Sequence, residues 1–314
     1  MAFSTARMIT RLASDKTAAF VIPFGKGQLE CRHVRRKPLP HQPSYISVYL
    51  SSHSGCTMGC KQCHLTANGS TSFKHATLEK YHEQFKVVLE HYDQLVANGE
   101  DKAQRASVNL MARGDSFANR YFVNQYADFY QVLKQETDKR GMEIKVNAST
   151  IMPNTVRDRD LYDIFGDVPV EIYYSLYSLN PKFRSHWLPN AMNPLAALDK
   201  IKAFQEKTKN KITLHWAFIE GHNDDLQELK ELARVIRGYN FDGKFNLVRY
   251  NPPNNQSREP SEQKLQELLN VMKTDAFTIP TKSKMIQRVG EGEKTMASCG
   301  MFFRDGESFH TESD

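Results

Sequence analysis

Between Tyr45 and Lys273, strand-like runs alternate with helical patterns through six units, and few architectures accept that order. The runs Tyr45–Leu50, Ser107–Ala112, Glu143–Ala148, Val170–Leu176, Ile212–Ile219 and Lys244–Tyr250 read as strands. Helical patterns follow at Ala76–Asn98, Phe122–Arg140, Val156–Phe165, Pro194–Lys207, Asp225–Arg237 and Pro260–Lys273. In the first of these, Leu78, Tyr81, Phe85, Val88, Leu89, Tyr92 and Leu95 recur at helical spacing, and Gly99 stops the pattern. Alternation of this kind produces a parallel sheet with right-handed crossovers. The expected fold is therefore α/β, a partial (β/α)6 barrel of the TIM type that stays open on one side. A short N-terminal extension would span 1–44, the barrel core 45–274 and a tail 275–314, with a candidate hairpin at Phe277–Ile279 and Met285–Val289. Chemistry in such folds gathers at the C-terminal ends of the strands.

Just past the first strand comes Ser54-Gly55-Cys56-Thr57-Met58-Gly59-Cys60-Lys61-Gln62-Cys63, a CxxxCxxC loop. Three thiolates on one short loop can hold three irons of a 4Fe–4S cluster and leave the fourth open to a small molecule. Blander readings use the same residues. Cys56, Cys60, Cys63 and His64 could form a Cys3His zinc site, though zinc sites usually pair two knuckles and no second cysteine pair exists here. Cys60–His64 also fits the CxxCH haem pattern, which needs an exported chain, and the sequence shows no secretory signal. Five cysteines, odd in number and clustered, do not suit a disulfide framework.

Over 314 residues, 40% apolar and 25% charged residues are ordinary globular composition, and no apolar run approaches a membrane span. The net charge of +6 favours a polyanionic partner or reflects a simple Lys/Arg excess. The patch Arg32, His33, Arg35, Arg36, Lys37 could track phosphates or be a solvated hairpin. Residues 1–20, with Arg7, Arg11 and one acid, Asp15, read as a short helix covering one end of the domain or as an organellar leader.

The strand ends carry a family resemblance. Ser51-Ser52-His53-Ser54-Gly55-Cys56, Met111-Ala112-Arg113-Gly114-Asp115-Ser116, Asn147-Ala148-Ser149-Thr150, Tyr174 to Asn180, Ile219 to Asp224, Val248-Arg249-Tyr250-Asn251-Pro252 and Ala297-Ser298-Cys299-Gly300 resemble, in order, the segments of the RlmN/Cfr family of radical-SAM RNA methyltransferases. The resemblance runs from about Tyr45 to Phe303. It implies that Cys56, Cys60 and Cys63 ligate a 4Fe–4S cluster and that Gly114, Asp115, Ser149, Ser175 and Asn251 line the site for S-adenosylmethionine (SAM). It implies a cytoplasmic enzyme that methylates an adenine carbon, C2 or C8, in ribosomal or transfer RNA. An electron donor such as flavodoxin or ferredoxin would serve it. Cys299 matches the residue that carries the methyl group as S-methylcysteine before transfer.

Four departures stand beside the match. Asp115 replaces the family's Glu, and His53 its usual Gln. Few residues precede Tyr45 where the family has an N-terminal RNA-binding module. The second catalytic thiol belongs seven residues before Cys56, where this chain has Tyr49. Cys31 is the one cysteine left that could substitute for it, and only if the fold brings it to Cys299. The same residues therefore also suit a radical enzyme with a non-RNA substrate, or an impaired relative that binds RNA.

Overall fold

The computed structural model describes residues 9–35, 43–71, 73–278, 282–288, 295–298 and 300–305. A ten-stranded sheet runs in chain order from one edge to the other. Strands β1 (Ile9–Leu12), β2 (Ala18–Phe24) and β3 (Gly27–Arg35) form an antiparallel meander that ends against β4 (Tyr45–Tyr49). From β4 the pairing is parallel, through β5 (Arg105–Leu110), β6 (Glu143–Thr150), β7 (Glu171–Tyr174), β8 (Ile212–Ala217) and β9 (Gly243–Val248). A further parallel strand, β10 (Lys284–Ile286), adds to β9. This is the expected partial barrel, extended at both edges.

Helices fill the crossovers. α1 (His64–Ala67) and α2 (Leu78–Ala97) join β4 to β5, and α3 (Arg120–Asn124) and α4 (Tyr126–Asp138) join β5 to β6. α5 (Leu161–Phe165), then α6 (Pro181–Trp187) with α7 (Pro194–Thr208), then α8 (Leu226–Tyr239) and α9 (Glu262–Asp275) fill the rest. The first helical pattern lands as read. Thr77 caps α2 by accepting the Lys80 amide, and Tyr81, Phe85, Val88 and Leu89 are wholly buried against the sheet. Each such side chain contributes roughly 1.5–3 kcal/mol by leaving water. Gln84 on the same face is also buried: its Oε1 accepts the Ser51 amide at 2.8 Å and its Nε2 donates to the Ser51 carbonyl at 3.1 Å. A central helix thus grips the point where β4 turns into the cysteine loop.

Several expectations need correction. Ile9–Leu12 and Ala18–Phe24 are strands, not a helix. The run Ala18 to Ile22 is apolar at every position and buried throughout, which suits a strand covered on both faces. Asp15 makes the turn before it, its Oδ1 accepting the Thr17 amide at 3.0 Å. The helical pattern over Phe122–Arg140 breaks at Gln125, where backbone angles of −137° and 36° leave the helical region. Of Val156–Phe165 only Leu161–Phe165 is α-helical, started by the Asp160 cap. In the candidate tail hairpin, Lys284–Ile286 pairs with β9 instead, while Ile279 and Val289 lie outside the described residues. Two members of the basic patch point inward: Arg32 and His33 are buried, and Arg35 donates to the Asp101 carbonyl. Arg36 and Lys37 lie outside the described residues. No helix among the described residues is long and apolar enough to cross a membrane.

Candidate active site at the C-terminal ends of the strands

The cysteine loop is pinned at many points. Ser51 Oγ donates to the Glu30 carbonyl at 2.7 Å and accepts the Glu30 and Arg113 amides. The Ser52 amide donates to the Arg113 carbonyl, and the Ser52 carbonyl accepts from Ala76 and from Asn119 Nδ2. Further on, the Cys56 amide donates to Ser70, Lys61 to Trp187, and Asn190 Nδ2 to the carbonyls of Thr57 and Met58. Cys60 and Cys63 close a tight turn through a 3.1 Å backbone bond.

The three thiols line one cavity with Gly114, Asp115, Ser149, Ser175 and Asn251, so the expected cluster ligands and SAM-site residues meet in one place. Burial pushes the Cys56 thiol up to about 11, while the Met58 and Asp115 amides favour its thiolate. Cys60 is raised well above the ordinary range by burial and then by Cys56 and Cys63 beside it. Three crowded sulfurs that repel one another as thiolates form a donor set that wants positive charge, and iron binding would draw their protons off. Among the described residues, no set of three or more His, Cys, Asp or Glu side chains is gathered as around a single metal ion. Three thiols on one short loop are a donor set that a 4Fe–4S group accepts, one thiolate to each of three irons. Cys31, Cys56 and Cys60 are free thiols.

The opposite wall comes from strand ends. Gly114 has a φ of +86°, and a Cβ there would sit 2.5 Å from His53 Nδ1 and 2.6 Å from Ser52 Oγ. Glycine is required on both grounds. Asp115 is buried, which lifts its carboxyl to about 6. Its Oδ1 accepts the Phe117 amide at 2.9 Å and its Oδ2 the Ile151 amide at 2.8 Å, so it caps the 3₁₀ turn Ser116–Ala118 and ties β5 to β6. The Thr150 side chain and the Ala118 backbone also hydrogen-bond to this carboxylate, so it is held on several sides. Asn251 Oδ1 accepts from Arg288 Nε at 2.7 Å. His53 is a neutral, buried link: Ser52 Oγ lies 2.9 Å from its Nδ1, its Nε2 lies 3.1 Å from His75 Nδ1, and burial lowers it to about 3.

Among the wall residues that escaped the sequence reading, two stand out. His215, in the middle of β8, lines the cavity, and burial with nearby Lys244 lowers it to about 4. A polar ring inside Ile-Thr-Leu-His-Trp-Ala was its available signal. Phe302, from the tail, gave none.

Cys299 lies outside the described residues. Its neighbours do not: Gly300 and Phe302 line the cysteine cavity, and Ala297 and Ser298 line an adjoining one with Tyr49, Met111 and Arg288. Tyr49, at the position of the expected second thiol, therefore faces this space. Cys31 does not. It is fully buried in the main apolar core, and burial pushes its thiol far above the ordinary range.

No family model matches the chain. A probable dual-specificity RNA methyltransferase RlmN of Staphylococcus saprophyticus is 27% identical over 220 residues, 69% of this chain and 56% of that one. The chain thus spans little more than half the length of that relative. The dual-specificity RNA methyltransferase RlmN of Helicobacter hepaticus is 25% identical over 274 residues, 85% of this chain and 69% of that one. The ribosomal RNA large subunit methyltransferase N of Nitrosopumilus maritimus is 25% identical over 313 residues, 96% of this chain and 81% of that one. Among solved structures, a radical SAM methyltransferase from Sphaerobacter thermophilus superposes with a TM-score of 0.69 at 19% identity, over 94% of this chain and 80% of that one. The chain shares its partial-barrel fold with that structure. At 25–27% identity the chain is similar to RlmN-type RNA methyltransferases.

Proposed function

We propose that this chain is a radical-SAM methyltransferase that modifies an adenine carbon in RNA, C2 in preference to C8. The observation that carries this reading is the single cavity shared by three loop thiols and five strand-end residues. Cys56, Cys60 and Cys63 would hold a 4Fe–4S cluster. When bound, that cluster would supply the electron that cleaves SAM into methionine and the 5′-deoxyadenosyl radical.

The chain's own residues would position SAM and substrate. Gly114 allows close backbone approach to the methionine end, and Asp115 would bring a fixed carboxylate to the cavity wall as a counter-charge for the amino group. Ser149, Ser175 and Asn251 complete the polar wall. Cys299 would carry the methyl as S-methylcysteine, because adenine C–H carbons are not nucleophilic. The tail on both sides of it lines the two adjoining cavities, which supports that assignment.

The proposed substrate is ribosomal or transfer RNA: the relatives' names support RNA, and the net charge of +6 suits it. A flavodoxin- or ferredoxin-type donor would deliver the electron. Free thiols suit a reducing compartment, the cytoplasm.

One observation favours a second reading, an impaired relative that forms a protein–RNA adduct but releases it poorly. Tyr49 stands where the second thiol is expected, and Cys31 is shut in the core. Anaerobic, cluster-loaded protein given reductant, methyl-labelled SAM and RNA separates the cases. Label in free RNA with stoichiometric 5′-deoxyadenosine supports the first, label in a protein–RNA adduct the second. 5′-Deoxyadenosine with no label in RNA or adduct overturns both in favour of a different substrate.

A further inference from the structure

Glu30, Arg32 and Arg113 form a buried ionic cluster that the proposed chemistry does not use. None is more than 1% exposed. Arg113 Nε donates to Glu30 Oε1 at 2.8 Å, and Arg32 Nη2 to Glu30 Oε2 at 3.0 Å. Arg113 Nη1 donates to the Gln28 and Ser54 carbonyls, and the cluster's other contacts go to the tail. Arg32 Nη2 also donates to the Met301 carbonyl at 2.7 Å, and Arg113 Nη2 to the Phe303 carbonyl at 2.8 Å. Arg113 Nη1 reaches Asp305 Oδ1 at 2.6 Å, and the Phe303 amide donates back to Glu30 Oε1 at 3.1 Å.

With the tail docked, two guanidiniums face two carboxylates. Without it, the same site would hold two cations and one anion and lose two carbonyl acceptors, away from water. Unpaired buried charge is strongly unfavourable. The cluster and the tail therefore hold each other.

The side of the tail that the latch grips is not the side that meets the cavity. Met301 and Phe303 turn their backbone groups to the arginines and Glu30, while Gly300 and Phe302, between them, line the cysteine cavity. The Gly300 carbonyl also accepts the His64 amide, directly after Cys63. Arg113 itself precedes Gly114 on the far wall.

We infer that Glu30, Arg32 and Arg113 are positioning residues: a latch that sets the tail, and with it position 299, against the SAM cavity. This rests on the methyl-carrying role proposed for Cys299. Breaking the latch should separate radical generation from methyl transfer.

The test is Glu30→Gln, with Asp305→Asn as a milder variant whose wild-type carboxylate is partly exposed. Hydrogen exchange of the peptide over 300–305 is measured on protein without cluster. The loaded protein is then assayed for reductive SAM cleavage and for methyl on Cys299. The latch predicts at least tenfold faster exchange in the tail of Glu30→Gln, a smaller rise in Asp305→Asn, SAM cleavage within about threefold of wild type, and a drop of tenfold or more in Cys299 methylation. Should Glu30→Gln fail to fold, the Asp305→Asn pair of measurements decides alone. Tail exchange unchanged in the folded variants overturns the latch. Tail release with Cys299 methylation intact overturns its positioning role. A wild type that never methylates Cys299 refutes the underlying function instead, while the exchange result still reads the latch.

Discussion

Cys60→Ser protein is expected to take up no stable iron–sulfur chromophore on anaerobic reconstitution and to reduce SAM cleavage to background. Cys60 is the middle ligand, and both other thiols act on it electrostatically. A hydroxyl at that point deprotonates far less readily than a thiol and is a poorer partner for iron. The fold should survive, because the loop backbone is fixed by bonds to the Ser70 and Trp187 carbonyls and from Asn190 Nδ2 rather than by the thiol. Absorbance, iron content and thermal unfolding of the same sample check all three parts. A Cys60→Ser protein that loads like wild type would remove Cys60 from the ligand set.

Gly114→Ala should be the most damaging single-atom change in the cavity wall. The added methyl meets His53 Nδ1 at 2.5 Å, Ser52 Oγ at 2.6 Å and His53 Cβ at 3.0 Å. Those atoms cannot swing away, because His53 is buried and linked to both Ser52 and His75. A left-handed φ costs an alanine about 1–2 kcal/mol, and forcing a methyl into a full site costs about 1–3 kcal/mol more. Destabilisation of roughly 2–5 kcal/mol follows, readable as a lower denaturant midpoint with unchanged slope. The strain falls on the Ser52–His53 lead-in to Cys56, so iron loading should drop with it. Stability within about 0.5 kcal/mol of wild type would show that the backbone at Gly114 relaxes freely.

What the sequence made legible follows from periodicity and from residues with scarce chemistry. The six parallel strands and α2 were readable because buried strands and an amphipathic helix impose patterns on consecutive residues. The cysteine loop and strand-end residues were readable because their types and spacing recur in a known family. The N-terminal meander was missed because Ala18 to Ile22 is uniformly apolar, and such a run does not distinguish helix from strand. Arg32 looked like a phosphate contact because sequence shows charge but not pairing. Its partners are Glu30, two positions away, and the Met301 carbonyl, 269 positions away. Tail docking is non-local in the same way, and no local pattern encodes Phe302 as a cavity wall.

The central claim stands or falls on position 299. Protein loaded anaerobically with iron, sulfide and SAM should be digested and the peptide containing Cys299 weighed. One added methyl group on Cys299 is the expected result, and an RNA adduct on the same residue would show that release is slow with tyrosine at position 49. An unmodified Cys299 in protein that holds its cluster and cleaves SAM would contradict the two-step transfer and point to a radical enzyme with another substrate.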